Sequence, residues 1–444
     1  MTDAVFHREL GRDYPVASHS RGVYVYDTAG KRYLDGAGSV FVSHIGHGVA
    51  EIEAAIGAQM RELAFAHTSY FANEAERRFA DKLVAMAPRG FGKVWMTTSG
   101  AAANETAVKL ARHYHRVNGE PERHLVIARK HAYHGSSLGA LSLTGQQARR
   151  EPYAPYLLDV PHIAAPNCYR CPLALTYPAC AVACADELEH EIVRAGPRNV
   201  SAFIVEPVSG GPLGALTPPA EYLPKIRAIC DVHGVLLIVD EVITAAGRTG
   251  RNFAVDHWGV VPDLITCAKG IAGGYQPIGA VLVHERIFAA IAASGQSFRH
   301  GETFAGHAVM AAAGEAVLQY IDTHGLVDRA ALLGVYLGQR LATLHALPIV
   351  GDVRGLGLLW GVELVRDKVT KAPFERARQV SERIARECFV RGLLVVSGAG
   401  AADGIDGDTI TLAPPLTISK EEIDELVGLL GDAIRAVGSE IDSG

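Results

Sequence analysis

Two short segments of this 444-residue chain place chemically reactive side chains directly after apolar runs. Asp240 and Glu241 follow the run 235–239 (VLLIV), and Lys269 follows the run 264–268 (LITCA). Unbroken, β-branched runs of this length are typical of parallel strands that are covered on both faces. Because ligands of such sheets bind at the carboxyl ends of the strands, an acid and an amine are expected there. They form either a salt bridge or part of a binding site.

Two further segments favour a binding site over a simple salt bridge. Ser99, Gly100 and Ala101 follow a strand-like stretch and open a helix, whose free amide groups suit a phosphate. Tyr133 and His134 follow another apolar run, and the tyrosine offers an aromatic face for stacking on a ring. Pyridoxal 5′-phosphate chemistry needs such a set, because an amine forms a Schiff base with the aldehyde and an acid keeps the pyridine nitrogen protonated. The four strand ends therefore predict one site for this cofactor.

The motifs around the acid and the amine resemble those of class III aminotransferases, the ω-aminotransferase branch of the fold type I pyridoxal phosphate enzymes. The segments that carry the resemblance are 240–242 (DEV), 247–250 (GRTG), 262–264 (PDL) and 268–270 (AKG). Their combination is specific, and the likeness covers nearly the whole chain. The resemblance implies an α/β protein with a large, doubly wound, mainly parallel-sheet domain and a smaller α+β domain from the N- and C-terminal segments.

The resemblance also implies catalytic and binding roles for individual residues. Lys269 is expected to hold the cofactor as a Schiff base and to carry the proton, and Asp240 to pair with the pyridinium nitrogen. The other residues expected to bind the cofactor are Ser99, Gly100, Ala101, Tyr133, His134, Glu206, Val242 and Thr303. Phe41 and Tyr133 are expected to contact the substrate. Because the family threonine reaches the phosphate of a second subunit, Thr303 implies a homodimer with shared active sites, or a tetramer.

Several of these segments also have a purely structural interpretation. The Gly-rich loop 35–48, which contains Phe41, fits either a set of tight turns or a wall of the substrate pocket. Glu206 ends an apolar strand, where it either caps a neighbouring helix or lies near the ring hydroxyl of the cofactor. The aromatic loop 67–73 fits either local packing or the active site of the partner subunit.

Composition and periodicity indicate a globular enzyme with three segments. Strands and helices alternate over residues 65–322, which we predict to be the cofactor-binding domain. Residues 323–444 are predicted to form the small domain, with residues 1–64 packed against it. A net charge of −6 gives no electrostatic footprint for nucleic acid or an anionic membrane. The N-terminal residues have no apolar signal-peptide core, and no apolar run approaches the ~20 residues of a membrane span. A cytoplasmic protein is therefore expected.

A cysteine cluster lies apart from these motifs. Cys168, Cys171, Cys180 and Cys184 have the spacing C-x2-C-x8-C-x3-C within a Pro-containing loop that is additional to the family pattern. The cluster fits either a structural zinc site or four packed thiols, because disulfides are disfavoured in a reducing cytoplasm. No metal is included in the predicted active site.

One departure from the family pattern bears on the substrate. Thr411 stands where many members carry an arginine that binds a substrate carboxylate. A threonine offers a neutral hydrogen bond in place of a charged, bidentate fork. Either the donor lacks an α-carboxylate, as a terminal amine or an ω-amino acid does, or another basic residue such as Arg299 or Arg251 binds it.

These observations favour a ping-pong aminotransferase. It is expected to move an amino group from a primary amine or an (ω-)amino acid to a 2-oxo acid such as pyruvate or 2-oxoglutarate. An amino acid epimerase or racemase, or a phospho-lyase, would use the same cofactor and the same motifs. A non-catalytic binding protein is disfavoured, because a decayed site would be expected to have lost at least one of the key residues.

Overall fold

The computed structural model describes residues 4–442 of the chain. Residues 1–3 and 443–444, which the predicted N-terminal and C-terminal segments include, lie outside the described residues. The predicted boundaries at 64/65 and 322/323 stay predictions. Among the described helices, none combines the length and the apolar character needed to cross a bilayer.

The described strands form three sheets. The first is an antiparallel sheet of β1 (Ala17–Arg21), β2 (Tyr24–Asp27) and β3 (Arg32–Leu34). The second contains β4 (Phe91–Thr97), β5 (Leu125–Arg129), β6 (His162–Ile163), β7 (Val200–Val205), β8 (Leu236–Asp240), β9 (Leu264–Ala268) and β10 (Gly279–His284). The third is an antiparallel sheet of β11 (Val350–Leu356), β12 (Leu359–Leu364), β13 (Val396–Ala399) and β14 (Asp408–Leu412).

The helices connect and cover these sheets. Before the last strand of the large sheet the helices are α1 (Gly38–Phe41), α2 (Ala50–Glu62), α3 (Glu74–Met86), α4 (Gly100–Val117), α5 (Leu138–Leu143), α6 (Gln147–Arg150), α7 (Asp186–Ala195) and α8 (Tyr222–His233). After that strand they are α9 (Glu285–Ala293), α10 (Ala308–Thr323), α11 (Leu326–Ala342), α12 (Val380–Val390) and α13 (Lys420–Asp442).

The large sheet has the order β4-β10-β9-β8-β7-β5-β6. The pairings from β9 to β6 are parallel, whereas β10 is antiparallel to both of its neighbours. Consecutive residues of β7 belong to two separate hydrophobic clusters: Ile204 lies with residues of α4, and Phe203 lies with residues of α8. A sheet that is covered on both faces requires apolar residues at every position. The doubly wound, mainly parallel fold predicted from the unbroken runs is therefore confirmed.

The N-terminal hairpin contacts the C-terminal part of the chain. The backbone N–H of Leu34 donates to Gly392 O at 2.7 Å, and the N–H of Leu394 donates to Leu34 O at 2.9 Å. Arg32 also forms an ion pair with Glu425, with 2.6 Å between Nη2 and Oε1. These contacts bring the first strands beside α12 and α13.

Two expected elements of the C-terminal region differ from the structure. Early acidic and late basic residues in the segment 374–391 predict a helix over its whole length, but the helix begins only at Val380. Gln379 has a left-handed backbone with φ of 49°, and the N–H of Arg376 donates to Asp406 Oδ1 at 2.8 Å. The apolar run 393–396 predicts a strand, which begins only at the last residue of that run and continues to 399. By contrast, the capping box of Ser419 and Glu422 is present, with reciprocal hydrogen bonds of 2.8 and 3.1 Å.

Candidate active site

The carboxylate of Asp240 ends β8 and is almost wholly buried. Its Oδ2 accepts hydrogen bonds from Asn104 Nδ2 and from His134 Nδ1, each at 2.7 Å. Its Oδ1 accepts the backbone N–H of Val242 at 3.0 Å. Because an ionised carboxylate only accepts hydrogen bonds, the His134 ring carries a proton on Nδ1. Three donors therefore hold the carboxylate in one orientation.

Asn104 is a site residue that the sequence prediction did not include. Its Oδ1 accepts the hydroxyl of Thr266 at 2.6 Å, which fixes the amide so that Nδ2 faces Asp240 and the carbonyl oxygen of His134. The side chain thereby connects α4 with β8 and β9. A signal was present in the sequence, since a single amide follows three alanines at the start of α4. Buried amides of this kind are kept only when they are fully hydrogen-bonded.

Lys269 directly follows β9, the neighbour of the strand that carries Asp240. Its backbone is left-handed, with φ of 50°, and its Nζ lies 5.2 Å from the centroid of the Phe41 ring. Burial lowers the pKa of Lys269 to about 8, although the negative charges of Asp240 and Glu206 oppose this shift. Near neutral pH a larger fraction of this amine is therefore unprotonated and nucleophilic than that of an exposed lysine.

The start of α4 provides an anion-binding helix end. Ser99 is the N-cap residue, and its Oγ accepts the N–H of Ala102 at 3.2 Å. The N–H groups of Gly100 and Ala101 belong to the first turn, so they have no partner within the helix. A Cβ atom on Gly100 would lie 2.8 Å from a methyl group of Val242, which packs against this turn. Only a glycine fits between the helix end and Val242 without a displacement.

Glu206 follows β7 directly and is buried with one unpaired oxygen. Among the described residues its Oε2 has no hydrogen-bond partner, and Arg129 forms an ion pair with it, with 4.0 Å between Nη2 and Oε2. Burial raises the pKa of this carboxyl, which disfavours its charged form. A buried acceptor without a partner costs free energy, so this oxygen is available for a hydrogen bond to a bound molecule.

Tyr133 and His134 lie on the loop after β5 and differ in exposure. His134 is buried against Asp240, and no described residue forms a hydrogen bond with its Nε2. The Tyr133 side chain is 37% exposed, and the guanidinium of Arg149 stacks over its ring at 5.2 Å from the centroid. The loop therefore turns one ring into the core and the other toward open space.

The predicted residues converge on one cavity of about 790 Å³. The predicted site residues that line it are Phe41, Gly100, Ala101, Tyr133, His134, Glu206, Asp240, Val242 and Lys269. Ser99 lies beside the cavity as the N-cap of α4. Thr303 is exposed outside the lining, although Oε2 of the preceding Glu302 accepts the N–H and the hydroxyl of Thr98 at 3.0 Å each. Its role toward a second subunit stays a prediction.

The basic residues considered for a substrate carboxylate lie elsewhere. Arg251 and Arg299 are exposed and do not line the cavity. Thr411 is buried within β14, and its hydroxyl has no hydrogen-bond partner in the part of the chain that the structure describes. The cavity wall instead contains Arg149 and Arg376, which the sequence prediction did not include.

The four cysteines of the 168–184 loop line a separate, small pocket. Burial raises the pKa of Cys184 to about 11, with a further contribution from the other three thiols. Among residues 4–442, no three His, Cys, Asp or Glu side chains are placed to hold a metal ion. All four cysteines are free thiols in this structure.

Comparison with known proteins identifies the relatives of this chain. The family model described as aminotransferase class-III matches residues 9–434. The chain is 36% identical over 438 residues to the uncharacterized aminotransferase YodT of Bacillus subtilis, a match that covers 98% of each protein. It is 35% identical over 431 residues to the diaminobutyrate–2-oxoglutarate transaminase of Halomonas elongata, covering 95% of this chain and 90% of that protein.

A solved structure gives the same architecture. The ω-transaminase from Pseudomonas jessenii in complex with PMP matches with a TM-score of 0.91 and 32% sequence identity. The match covers 97% of this chain and 94% of that chain.

Proposed function

The chain belongs to the class III aminotransferase family, and on that premise we propose that it moves an amino group from a primary amine or an (ω-)amino acid to a 2-oxo acid. Pyruvate and 2-oxoglutarate are the proposed acceptors, in a ping-pong reaction. The observation that carries the proposal is that Lys269 and Asp240 end neighbouring strands and line the same cavity.

The residues present fit pyridoxal 5′-phosphate as the cofactor. The N–H groups of Gly100 and Ala101 at the α4 terminus adjoin the cavity, which suits a bound phosphate. Two buried polar atoms on the wall, His134 Nε2 and Glu206 Oε2, have no hydrogen-bond partner among residues 4–442. Asp240 would hold the pyridine nitrogen, and the ring would lie between Val242 and Tyr133.

The chemistry divides between the cofactor and the protein. When bound, pyridoxal phosphate accepts the electrons that are released as the C–H bond beside the amino group breaks. Asp240 keeps the proton on the ring nitrogen, which makes the ring a better electron acceptor. Lys269 Nζ, with its pKa lowered to about 8, would take the proton from the substrate carbon and deliver it to the carbon on the other side of the amino nitrogen. Phe41 forms the adjoining apolar wall of the substrate pocket.

The functional unit is proposed to be a homodimer with shared active sites. Phe65, His67, Tyr70 and Phe304 form an aromatic patch, in which the Phe65 and Phe304 ring centroids are 5.8 Å apart. Tyr70 is 81% exposed and Phe304 is 54% exposed. An apolar patch of this kind is typical of an interface. Thr303 adjoins it and is proposed to contact the phosphate bound by the other subunit.

A half-reaction tests the proposed function. Holoenzyme is mixed with single amines or amino acids in the absence of an oxo acid, and the visible absorption of the bound cofactor is followed. Loss of the band with a terminal amine or an ω-amino acid, and its recovery on addition of pyruvate or 2-oxoglutarate, is the expected result. A band that persists while the substrate is consumed or racemised would establish a lyase or an epimerase instead.

A further inference from the structure

A substrate carboxylate is normally bound by a cationic side chain. The position at which many family members carry that arginine is Thr411 in this chain. Thr411 is buried in β14, pairs with Val396 of β13, and does not line the cavity. Carboxylates are bound most strongly by a guanidinium whose two N–H groups face the two oxygens. Such a group must therefore come from another element that lines the cavity.

The cations of the cavity wall differ in whether they are already paired. Arg376 is occupied, because its Nη1 donates to Glu382 Oε2 at 3.1 Å and its Nη2 donates to the other oxygen of the same carboxylate. Lys269 is the reactive amine. Arg8 is exposed and has no hydrogen bond or ring contact that would fix its position among the described residues.

Arg149, on the short helix α6, is the cavity-lining arginine that is both positioned and unpaired. Its Nε donates to Gln146 Oε1 at 2.8 Å, and its guanidinium stacks over the Tyr133 ring. Within the described part of the chain it has no carboxylate partner, so its terminal N–H groups remain available. Ring stacking and one hydrogen bond restrict the side chain before a ligand binds, which lowers the entropic cost of binding.

We propose that Arg149 is the specificity-determining residue that binds the carboxylate of the substrate. This inference rests on the proposed function, in which Tyr133 adjoins both cofactor and substrate. Arg149 is exposed to solvent, lies over Tyr133, and lines the same cavity as Lys269, so a substrate bound at Lys269 can extend toward its guanidinium. The preferred substrates are accordingly amino acids that carry a carboxylate away from the reacting amine, rather than plain amines.

The test compares two donors of equal length in the wild type and in matched variants. The donors are 4-aminobutanoate and butylamine, which differ only in the terminal carboxylate. Arg149→Met removes the guanidinium and keeps the apolar stem over Tyr133, and Arg149→Lys keeps the charge without the fork. Arg150→Met is the control, because this neighbour lies on the same helix outside the cavity lining. Cofactor affinity of each variant is measured by absorbance titration of the apoenzyme.

Arg149→Met is expected to lower kcat/KM for 4-aminobutanoate by about 10- to 100-fold, mainly through KM, the loss expected for a hydrogen bond to a charged group. For butylamine kcat/KM should stay within about twofold, and cofactor affinity should not change. Arg149→Lys should restore part of the loss, and Arg150→Met should behave as wild type.

Equal losses for both donors, or weaker cofactor binding, would overturn the inference, because Arg149 would then bind the cofactor phosphate or support the fold. A wild-type enzyme that transfers no amino group from any amine or amino acid would instead refute the proposed function itself. The two failures are thus distinguishable.

Discussion

Asp240 and Glu241, the two consecutive carboxylates at the end of β8, have different roles. Asp240 faces the cavity, whereas Glu241 accepts the N–H groups of Ala254 and Val255 at 2.9 and 2.8 Å. Burial raises the pKa of Glu241 to about 7. Successive side chains of an extended backbone point to opposite faces, so one acid serves the site and the other holds the start of the 254–258 turn.

The lowered pKa of Lys269 leads to a prediction about cofactor capture. The apoprotein should capture pyridoxal phosphate at a rate that rises about tenfold per pH unit below pH 8 and levels off above it. The reason is that only the unprotonated amine attacks the aldehyde, and its pKa falls from 10.5 to about 8 in the folded chain. Stopped-flow absorbance at a series of pH values measures this rate.

The control for that profile is Nα-acetyllysine, which keeps a free ε-amino group. Its rate of reaction with pyridoxal phosphate should continue to rise up to a pH near the ordinary lysine pKa. Lys269→Ala should show neither the visible band nor measurable turnover, a loss of at least about 10³-fold. A profile of the apoprotein that parallels Nα-acetyllysine would contradict the role of burial, and a normal band in Lys269→Ala would contradict the assignment of the amine.

At the scale of the element, the first turn of α4 is shaped by a single missing side chain. Gly100→Ala should weaken cofactor binding and lower the free energy of unfolding by about 1–3 kcal/mol, because the new methyl group overlaps Val242. Absorbance titration and urea denaturation measure the two effects. Adding Val242→Ala should recover part of the stability by restoring the space.

Gly428→Ala in α13 is the matched control, because this exposed helical glycine has no atom within 4 Å of an added Cβ. This variant should gain up to about 1 kcal/mol from helix propensity alone. If Gly100→Ala behaved in the same way, the close approach of α4 to Val242 would not be important for the cofactor site.

At the scale of the whole molecule, assembly and cofactor retention should be linked. If the proposed homodimer is formed through the aromatic patch, Phe304→Asp places a charge in that patch beside Thr303. It is then expected to produce a monomer and to lower cofactor affinity about tenfold or more. Thr303→Val should lower cofactor affinity while the dimer persists. Light scattering gives the mass, and absorbance titration gives the affinity.

Val369→Asp, a change at a residue that is 90% exposed, serves as the control and should alter neither quantity. A Phe304→Asp variant that remains a dimer, or a wild-type protein that is monomeric with full cofactor affinity, would contradict the shared-site proposal.

Local sequence patterns determined much of this protein. The apolar runs defined strands such as β9, whose bounds 264–268 agree with the prediction, because the hydrophobic effect requires such runs in a doubly covered sheet. The residues that end or follow those strands supply one part of the cavity wall, including Asp240, Glu206 and Lys269. Chain connectivity alone places the residue after a strand at the edge of the sheet.

Only the tertiary structure shows which residues that are distant in the sequence meet at the cavity. Asn104 meets Asp240 across 136 positions, and Arg149 lies over Tyr133 on a helix that resembles an ordinary solvated face in the sequence. The pairing of Arg376 with Glu382, which leaves Arg149 unpaired in the cavity, likewise depends on three-dimensional position. Because buried amide and charged side chains depend on partners that are distant in the sequence, the sequence predicted the fold and the shared cavity of Asp240 and Lys269, whereas packing decided which remote residues, such as Asn104 and Arg149, join them.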